Sequence, residues 1–311
     1  MIIQIYKFFD NIKITRFLMD IIAGIKLKII AKKLDSNILI NKEGIKEMNI
    51  PYEWFTENKP LGISGIARLK NAEDFLEIVV ESHIPFLDEI ILVDNMSTDN
   101  TKKICLKLAE KYQKKIKFFE YNYNILPIGT KNLIGNSLYS FSYYTNWCFS
   151  KSSYKYVMRL DDDNLLISQK WKKIRKYILE KIPKKYIAYW GYNLFKKNNN
   201  IGICKNDIYS GKYGDHGIYP VSVSTYYIQN EIGEELKHNL FFKRFNLTFL
   251  HLKYLKKNFG LKNCILTEIG KERRNLIEKS ESIKIENFIR NNKDLDLIKN
   301  IIKNILKINK Y

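Results

Sequence analysis

Residues 154–166 read YKYVMRLDDDNLL, an apolar, strand-like run that leads directly into three consecutive aspartates. Adjacent like charges repel, so this arrangement calls for a compensating partner in a chain whose formal net charge is +20. A divalent cation that also binds phosphate would supply that compensation. The alternative is a solvated turn that is acidic without a ligand. The stretch therefore predicts a strand that ends at a metal site or at an acidic turn.

The composition predicts a folded protein with a substantial core. The chain has 311 residues, of which 45% are hydrophobic and 14% aromatic, which excludes a disordered chain. The basic excess favours anionic partners. Nucleic acid is not predicted as a partner, because the basic residues are dispersed and the sequence contains no recognisable nucleic-acid-binding module.

Cysteine spacing and hydropathy predict a cytoplasmic protein. Four cysteines lie far apart without a CxxC pair, which is typical of reduced thiols and not of a disulfide framework or a zinc site. No run is apolar enough for a transmembrane helix, and the N-terminus lacks the pattern of a secretory signal.

Short apolar runs alternate with helical patterns across residues 60–265. We predict strands in LGISGIARL, EIILVDN, IKFFEY, YKYVMRL and YIAYWGYNLF, with helices over 71–83, 97–112 and 132–149. Unbroken apolar strands between helices indicate an α/β domain with a mostly parallel sheet flanked by helices. Ligands bind beyond the carboxyl ends of such strands. Arg68, Asp94 and Asp161 all fall at that edge.

The two ends of the chain differ from this central domain. Residues 1–59 are predicted to be a basic amphipathic N-terminal extension, and residues 266–311 a basic helical C-terminal tail. Such helices bind anionic membrane surfaces, where each basic residue contributes about 1 kcal/mol. Packing on the core or on another subunit is the alternative for each end. Two such ends on one chain favour peripheral attachment to the cytoplasmic face of the inner membrane.

A second polar cluster follows the second predicted strand, in ILVDNMSTDNT at residues 91–101. Asp94 ends the strand, and Asn95, Ser97 and Asp99 occupy the turn into the next helix. A carboxylate in this position can accept hydrogen bonds from a ribose or a base, and the helix N-terminus favours anions. Turn and capping preferences alone also explain these residue types.

Together, these motifs make residues 61–260 resemble the nucleotide-sugar glycosyltransferases of the GT-A fold, especially the large inverting family with VDDGSTDGT-like and DxD motifs. VDNMSTDNT is similar to the first motif and RLDDDN to the second. GTKNLIGNSL resembles the ARNxG element, and GIARLKNAEDFL the opening strand and helix without the usual PTYN. The resemblance implies a GT-A fold, a UDP-sugar donor and Mn²⁺ or Mg²⁺ as the cofactor.

The resemblance also implies roles for individual residues. Asp94 would bind the uridine or ribose. Asn95, Ser97 and Asp99 would shape that pocket, and Arg68 would lie beside it. Lys131 stands where the family has an arginine and would act as a point charge on the diphosphate. Asp161 would face the ribose or donor sugar, while Asp162 would point the other way and serve local structure.

A metal site and a general base follow from the same comparison. The implied metal ligands are Asp161, Asp163 and His251, although His251 also fits a core histidine, and Lys253 would contact phosphate. An inverting transfer needs a carboxylate base near the acceptor. Asp215 in YGDHG is one candidate. Glu234 and Glu235 in IGEEL resemble the family's GED base, although charge compensation at a helix start also explains them.

GKYGDHGIYP and FLHLKYLKK resemble elements of bacterial lipooligosaccharide and surface-polysaccharide glycosyltransferases. The implied activity is transfer of a hexose or N-acetylhexosamine, with inversion, to a lipid-linked or oligosaccharide acceptor of lipooligosaccharide, capsule or O-antigen. A nucleotidyltransferase is one alternative, but its usual Gly-rich basic loop after the first strand is missing. A catalytically silent nucleotide-sugar-binding scaffold at the membrane is the other.

Overall fold

The computed structural model describes residues 34, 36–127, 135–197, 200–204, 216–229, 234–245, 248–257 and 282–284. The predicted amphipathic helix near the N-terminus and most of the predicted C-terminal helix lie outside these residues. Residues 282–284 form a strand, so the prediction of a helical tail is wrong at that point. Among the helices that the structure describes, none combines the length and apolarity needed to cross a membrane.

Helices and strands alternate along the first half of the chain, as the apolar periodicity predicts. The helices are α1 Glu53–Thr56, α2 Leu76–His83, α3 Thr101–Lys111, α4 Phe141–Phe149 and α5 Ser168–Lys181, with short 3-10 helices at Ser36–Leu39, Lys46–Met48 and Lys253–Leu255. The strands are β1 Ile63–Leu69, β2 Glu89–Asp94, β3 Ile116–Glu120, β4 Tyr156–Leu160, β5 Asn164–Leu166, β6 Lys185–Tyr189, β7 Tyr192–Lys197, β8 Asn200–Cys204, β9 His216–Pro220, β10 Tyr226–Gln229, β11 Glu234–Lys237, β12 Phe241–Phe245, β13 Phe249–His251 and β14 Ser282–Lys284.

A seven-stranded sheet forms the centre of the molecule, in the order β12-β6-β9-β4-β1-β2-β3. The neighbouring pairs β3–β2, β2–β1, β1–β4 and β6–β12 are parallel, and β9 is antiparallel to both of its neighbours. This confirms the predicted α/β fold with a mostly parallel central sheet. A five-stranded sheet, in the order β14-β8-β7-β13-β5, and the β10–β11 ribbon complete the strands.

Side chains that alternate along β1 and β2 enter two hydrophobic layers, one on each face of the sheet. Ala67 and Leu92 pack with α2, α3 and α5, whereas Ile66 and Val93 pack with α1 and α4. The second layer also contains buried side chains from before the predicted boundary at residue 59, among them Trp54. Residues 36–59 are therefore packed against the domain as part of its core.

Among the described residues, the predicted helix over 132–149 begins only at Phe141. Two further predicted elements also differ in the structure. The predicted strand at 186–195 is divided into β6 and β7, and Gly191 lies at the break, where a Cβ atom would collide with the carbonyl oxygen of Phe249. Glu234 and Glu235 were expected at the start of a helix, but they lie in β11, which pairs antiparallel with β10. Pairing with β10 decides that residues 234–237 form a strand, although the local sequence predicts the start of a helix.

His83 makes the stability of the core depend on pH. It is 1% exposed, lies 6.0 Å from the Trp171 ring, and its Nδ1 donates to the carbonyl oxygen of Val79. Burial lowers its pKa from 6.5 to about 4. Between these values the unfolded chain binds a proton that the folded protein excludes, so stability is lost as the pH falls from 6.5 to 4.

For His83 alone, we expect the free energy of unfolding to be about 2 kcal/mol lower at pH 5 than at pH 7. Urea unfolding of the wild type and of His83→Gln at both pH values measures this contribution. Burial also lowers the pKa of His238. His238 is present in both proteins, so its contribution to the pH dependence cancels in the comparison. An equal change with pH in the two proteins would contradict the assignment.

Candidate active site

The carboxyl ends of β1, β2 and β4 bring the predicted site residues to one edge of the sheet. Leu69 pairs with Asp94 across β1 and β2, and Ala67 pairs with Leu160 across β1 and β4. Asp94 and the residue after Leu160, which is Asp161, therefore lie on either side of β1, roughly 10 Å apart as two strand spacings require. The strand order thus produces the proximity that the sequence predicts.

Asp94 has a buried carboxylate oxygen without a hydrogen-bond partner among the described residues. Its side chain is 3% exposed, and Oδ2 accepts the backbone N–H of Ser97 at 3.3 Å. Oδ1 is buried and has no hydrogen-bond partner within the described part of the chain. Because an unpaired buried carboxylate oxygen is costly, Oδ1 is suited to accept a hydrogen bond from a bound hydroxyl or N–H group.

Asn95 organises the wall next to Asp94. It is buried, and its Nδ2 donates to the carbonyl oxygens of Tyr121 and Tyr123, at 2.8 Å in each case. These bonds tie the end of β2 to the segment that follows β3. Asn95 therefore shapes the pocket through the backbone that it holds, and its amide nitrogen is already used by the protein.

Ser97 and Asp99 have similar roles in the loop between β2 and α3. Ser97 Oγ accepts the N–H of Asn71 at 2.9 Å. Asp99 accepts the N–H of Thr101 at 2.9 Å and that of Glu73 at 3.2 Å. These contacts hold the loop against the start of α2, as turn preferences predict. The structure thus places both side chains in loop packing, next to Asp94.

An open cleft of about 390 Å³ lies beside Asn95. Its lining is Arg68, Leu69, Lys70, Asn95, Ile125, Leu126, Pro127, Phe141 and Tyr144. The cleft has apolar and aromatic walls, and its lining includes two basic residues, Arg68 and Lys70. This combination suits a planar base together with an anionic group.

Asp161 lies among cationic groups. Arg159 Nε is 3.0 Å from its Oδ1, and His216 Nε2 is 3.6 Å from its Oδ2. Burial opposes ionisation of Asp161, but the positive charges of Arg159 and His216 outweigh it and lower the pKa of this carboxyl. Asp161 is therefore held ionised at the end of β4.

Asp162 and Asp163 share a lysine that the sequence did not assign to the site. Lys256 Nζ lies 2.7 Å from Asp162 Oδ2 and 2.9 Å from Asp163 Oδ2. Burial and the charge of Asp163 raise the pKa of Asp162. Burial also opposes ionisation of Asp163, but contacts with His251 and Lys256 outweigh it, and the pKa of Asp163 falls below its usual range. Asp162 was expected to point away from its neighbour; residues 162–163 form a turn, so that prediction is wrong.

His251 is oriented toward Asp163 by the protein. Its Nδ1 lies 2.5 Å from Asn193 Oδ1, and its Nε2 lies 3.2 Å from Asp163 Oδ1. With the Nδ1 proton donated to Asn193 Oδ1, Nε2 is the nitrogen that faces Asp163, where it donates to Oδ1; once it loses that proton, its lone pair can bind a metal. A ring nitrogen held in this way is typical of a metal-binding histidine. The prediction that His251 lies at the acidic turn agrees with this geometry.

The donor set fits a divalent cation only in part. Asp163 and His251 face each other and can hold a metal from two sides, with further positions open to phosphate oxygens. The structure does not bring Asp161, Asp163 and His251 together as three ligands, and no group of three His, Cys, Asp or Glu side chains in the described ranges is arranged to hold a metal. The turn at 162–163 separates Asp161, which faces Arg159, from the Asp163–His251 pair.

The candidate bases have different surroundings. Glu234 is buried, and both of its oxygens lie 2.9 Å from Arg68 Nη1; Thr145 Oγ1 donates to the same carboxylate. Burial opposes the charged form of Arg68, but the negative charge of Glu234 outweighs burial and raises the pKa of Arg68. Glu235 pairs with Lys237 at 2.9 Å and is 42% exposed. Asp215, the first candidate, and Lys131 lie outside the described residues.

Two residues at the acidic end of β4 were not predicted from the sequence. His216 was assigned no role, yet it is buried, and its Nε2 lies 3.2 Å from Asn164 Nδ2 as well as near Asp161. Lys256 was indistinguishable from the other basic residues of a lysine-rich chain. Its position five residues after His251 in FLHLKYLKK was the only signal that could have linked it to the acidic turn.

Parts of the chain are similar to known proteins. Residues 68–127 match the model of glycosyl transferase family 2. No curated protein matches the sequence significantly. Solved structures of glucosyl-3-phosphoglycerate synthase from Mycobacterium tuberculosis are among the similar folds. The complex with Mn²⁺, UDP and phosphoglyceric acid has 18% identity and a TM-score of 0.29, over 41% of this chain and 42% of that chain. The enzyme without named ligands has 17% identity and a TM-score of 0.30, over 47% and 48%.

The chain spans less than half the length of these solved structures. The family match covers β2 and the polar loop after it, together with Arg68 at the end of β1 and the cleft-lining residues 125–127. This match confirms the predicted resemblance. Residues 68–127, which include Arg68, Asp94 and Asn95, are therefore similar to glycosyl transferase family 2, and they lie within a mostly parallel α/β sheet.

Proposed function

We propose that this protein is a metal-dependent glycosyltransferase that moves a hexose or N-acetylhexosamine from a UDP-sugar to a saccharide acceptor. The observation that carries the proposal is the pairing of two features beside β1. One is the unpartnered buried oxygen of Asp94, and the other is the acidic turn with His251. The first suits a nucleoside, and the second suits a metal-bound diphosphate.

The nucleoside of the donor would occupy the cleft beside Asn95. Asp94 Oδ1 would accept a hydrogen bond from the uracil N–H or a ribose hydroxyl, while Phe141 and Tyr144 provide apolar surface for the base. Lys131 would contribute a point charge to the diphosphate. Asp161, kept ionised by Arg159 and His216, would accept a hydrogen bond from the ribose or the donor sugar.

Asp163 and His251 would hold the metal. When bound, the cation neutralises the nucleoside diphosphate as it leaves the anomeric carbon. Imidazole nitrogen is a better ligand for Mn²⁺ than for Mg²⁺, which prefers oxygen, so we propose Mn²⁺. Asn193 fixes the orientation of His251 for this task.

Transfer with inversion needs one carboxylate that removes the proton from the acceptor hydroxyl. We propose Asp215 for this role, because it directly precedes His216, which contacts Asp161. Glu234 remains the second candidate. Its carboxylate is already shared by Arg68 and Thr145, which favours a role in positioning Arg68.

The acceptor proposed is a lipid-linked or oligosaccharide precursor of lipooligosaccharide, capsule or O-antigen. The sequence resemblance in GKYGDHGIYP and FLHLKYLKK supports this choice, as do the basic amphipathic ends of the chain. Those ends would hold the enzyme at the cytoplasmic face of the inner membrane, where such acceptors are built.

Donor hydrolysis tests the proposed function directly. The full chain is incubated with UDP-, GDP- and CMP-sugars, with Mn²⁺, with Mg²⁺ or with a chelator, and release of the nucleotide is measured. We expect hydrolysis of a UDP-sugar that requires the divalent metal. Tight binding of UDP-sugars without turnover across a broad acceptor panel would favour a silent scaffold, and release of pyrophosphate from UTP would favour a nucleotidyltransferase.

Asp94→Asn is expected to weaken UDP binding about 10- to 100-fold. The substitution removes a charge-assisted hydrogen bond, worth about 1.5–3 kcal/mol, and keeps the shape of the side chain. Calorimetry with UDP and Mn²⁺ measures the change, and Glu110→Gln serves as a control at an exposed position of α3. Unchanged affinity in Asp94→Asn would place the nucleoside elsewhere.

A further inference from the structure

We infer that Lys256 is a tethered cation that occupies the acidic turn in the metal-free protein, and that Mn²⁺ binds by displacing it. Lys256 would thus be a positioning residue that sets the affinity of the site for metal. The inference rests on the proposed function, in which Asp163 and His251 hold the metal. It concerns a residue for which neither the sequence motifs nor the family match provide a role.

The geometry places the ammonium group between the two carboxylates. Nζ lies 2.7 Å from Asp162 Oδ2 and 2.9 Å from Asp163 Oδ2, and the side chain of Lys256 is only 20% exposed. Asp163 is 8% exposed and Asp162 18%. Two adjacent, largely buried carboxylates repel each other strongly unless a cation lies between them. Lys256 supplies that cation from within the chain.

Lys256 and His251 reach Asp163 from the same short segment. β13 pairs antiparallel with β5, so that His251 lies opposite Asn164, and the N–H of Leu252 donates to the carbonyl oxygen of Asp163 at 2.7 Å. The 3-10 helix Lys253–Leu255 then turns the chain back toward the aspartates. One carboxylate therefore faces an imidazole on one oxygen and an ammonium on the other.

A metal bound to Asp163 and His251 would compete with this ammonium. A ligand oxygen lies about 2–2.2 Å from Mn²⁺ or a similar cation, and Asp163 Oδ2 is already 2.9 Å from Nζ. A divalent ion on Asp163 would therefore lie within a few ångströms of a like charge that is screened little by solvent. Lys256 has a flexible four-carbon stem, so its ammonium can leave the carboxylate while the backbone stays in place.

Release of Lys256 from the carboxylates would also favour binding of the nucleotide-sugar donor. The free ammonium stays tethered close to the metal, where the diphosphate of the donor brings negative charge. In the metal-free protein the same group keeps the turn folded and neutralised. Metal and nucleotide together would thus compensate for the lost ion pairs, so that Mn²⁺ binds much more tightly with nucleotide than alone.

Mn²⁺ binding without nucleotide tests the inference. Free Mn²⁺ is titrated by electron paramagnetic resonance against the wild type, Lys256→Met and Lys257→Met. Lys257 is exposed, and its described contact is a backbone N–H to Asp74 Oδ2, which the substitution keeps, so it is a matched control for charge. We expect Lys256→Met to bind Mn²⁺ about tenfold more tightly than the wild type, and Lys257→Met to remain within about twofold.

Different results would overturn the displacement of Lys256 and the proposed metal site. Wild-type binding of Mn²⁺ with equal or weaker binding by Lys256→Met would overturn the displacement of Lys256 and leave the metal site intact. Absence of Mn²⁺ binding by all three proteins, with and without UDP, would overturn the proposed metal site and the inference with it.

A second measurement uses the wild-type protein, so it does not require that a variant folds. Brief acetylation of exposed amines, read by mass spectrometry, compares Lys256 with Lys257 at increasing Mn²⁺. We expect Lys256 to be protected without metal and its labelling to rise several-fold with Mn²⁺, while that of Lys257 stays constant. Continued protection of Lys256 at saturating Mn²⁺ would overturn the inference.

Discussion

Asp163→Asn is expected to lower kcat for metal-dependent hydrolysis of a UDP-sugar about 10³-fold, which corresponds to roughly 4 kcal/mol. The substitution keeps the size of the side chain and removes the charge that would hold Mn²⁺ together with His251. The leaving diphosphate then loses its neutralising cation. The measurement is kcat with the donor identified by the hydrolysis screen, at saturating substrate and at several Mn²⁺ concentrations.

Two further variants serve as controls for the loss of activity expected of Asp163→Asn. Asp162→Asn changes a neighbouring carboxylate that contacts Lys256, and we expect a loss of at most about tenfold. Glu110→Gln removes a carboxylate from the exposed face of α3 and controls for net charge. If Asp163→Asn kept wild-type activity and the same dependence on Mn²⁺, the acidic turn would not be the metal site.

Glu234→Leu is expected to lower the free energy of unfolding by about 3–5 kcal/mol, because it leaves Arg68 buried without its carboxylate. The Arg68 and Glu234 side chains are 11% and 7% exposed, and their ion pair joins the end of β1 to the β10–β11 ribbon. Chemical denaturation measures the change. Glu235→Leu is the matched control, since Glu235 is 42% exposed and its pair with Lys237 contributes at most about 1 kcal/mol.

A double-mutant cycle separates the ion pair from simple loss of packing. Arg68→Met alone is expected to be destabilising, whereas Arg68→Met combined with Glu234→Leu should recover most of the lost stability, because an apolar pair replaces a buried ionic one. Strictly additive losses would show that the two side chains stabilise the fold independently.

Much of the sheet was predictable from local pattern. The unbroken apolar run 90–93 and the run before Asp161 could be buried only as central strands, and Asp94 and Asp161 followed them directly. Because parallel strands end at the same edge, this spacing was enough to predict that both carboxylates share a site. The match of residues 68–127 to glycosyl transferase family 2 includes Asp94 and ends before Asp161.

Several features depended on contacts between distant parts of the chain. Glu234 lies in a strand because β10 pairs with it, and it meets Arg68 from 166 residues away. The alternation expected for Asp162 and Asp163 is lost because a turn brings both to Lys256, 94 residues from Asp162. Local propensity contains no information about such partners.

The sequence by itself determined the strand ends, the order of the motifs and the carboxylates that reach the functional edge, because burial and periodicity act over neighbouring residues. Only the tertiary structure decided which cation meets each carboxylate: Arg159 and His216 at Asp161, His251 and Lys256 at Asp163. In a chain with 53 lysines and arginines, charge pairing is decided by distance in space, and that distance is set by strand pairing across the whole domain.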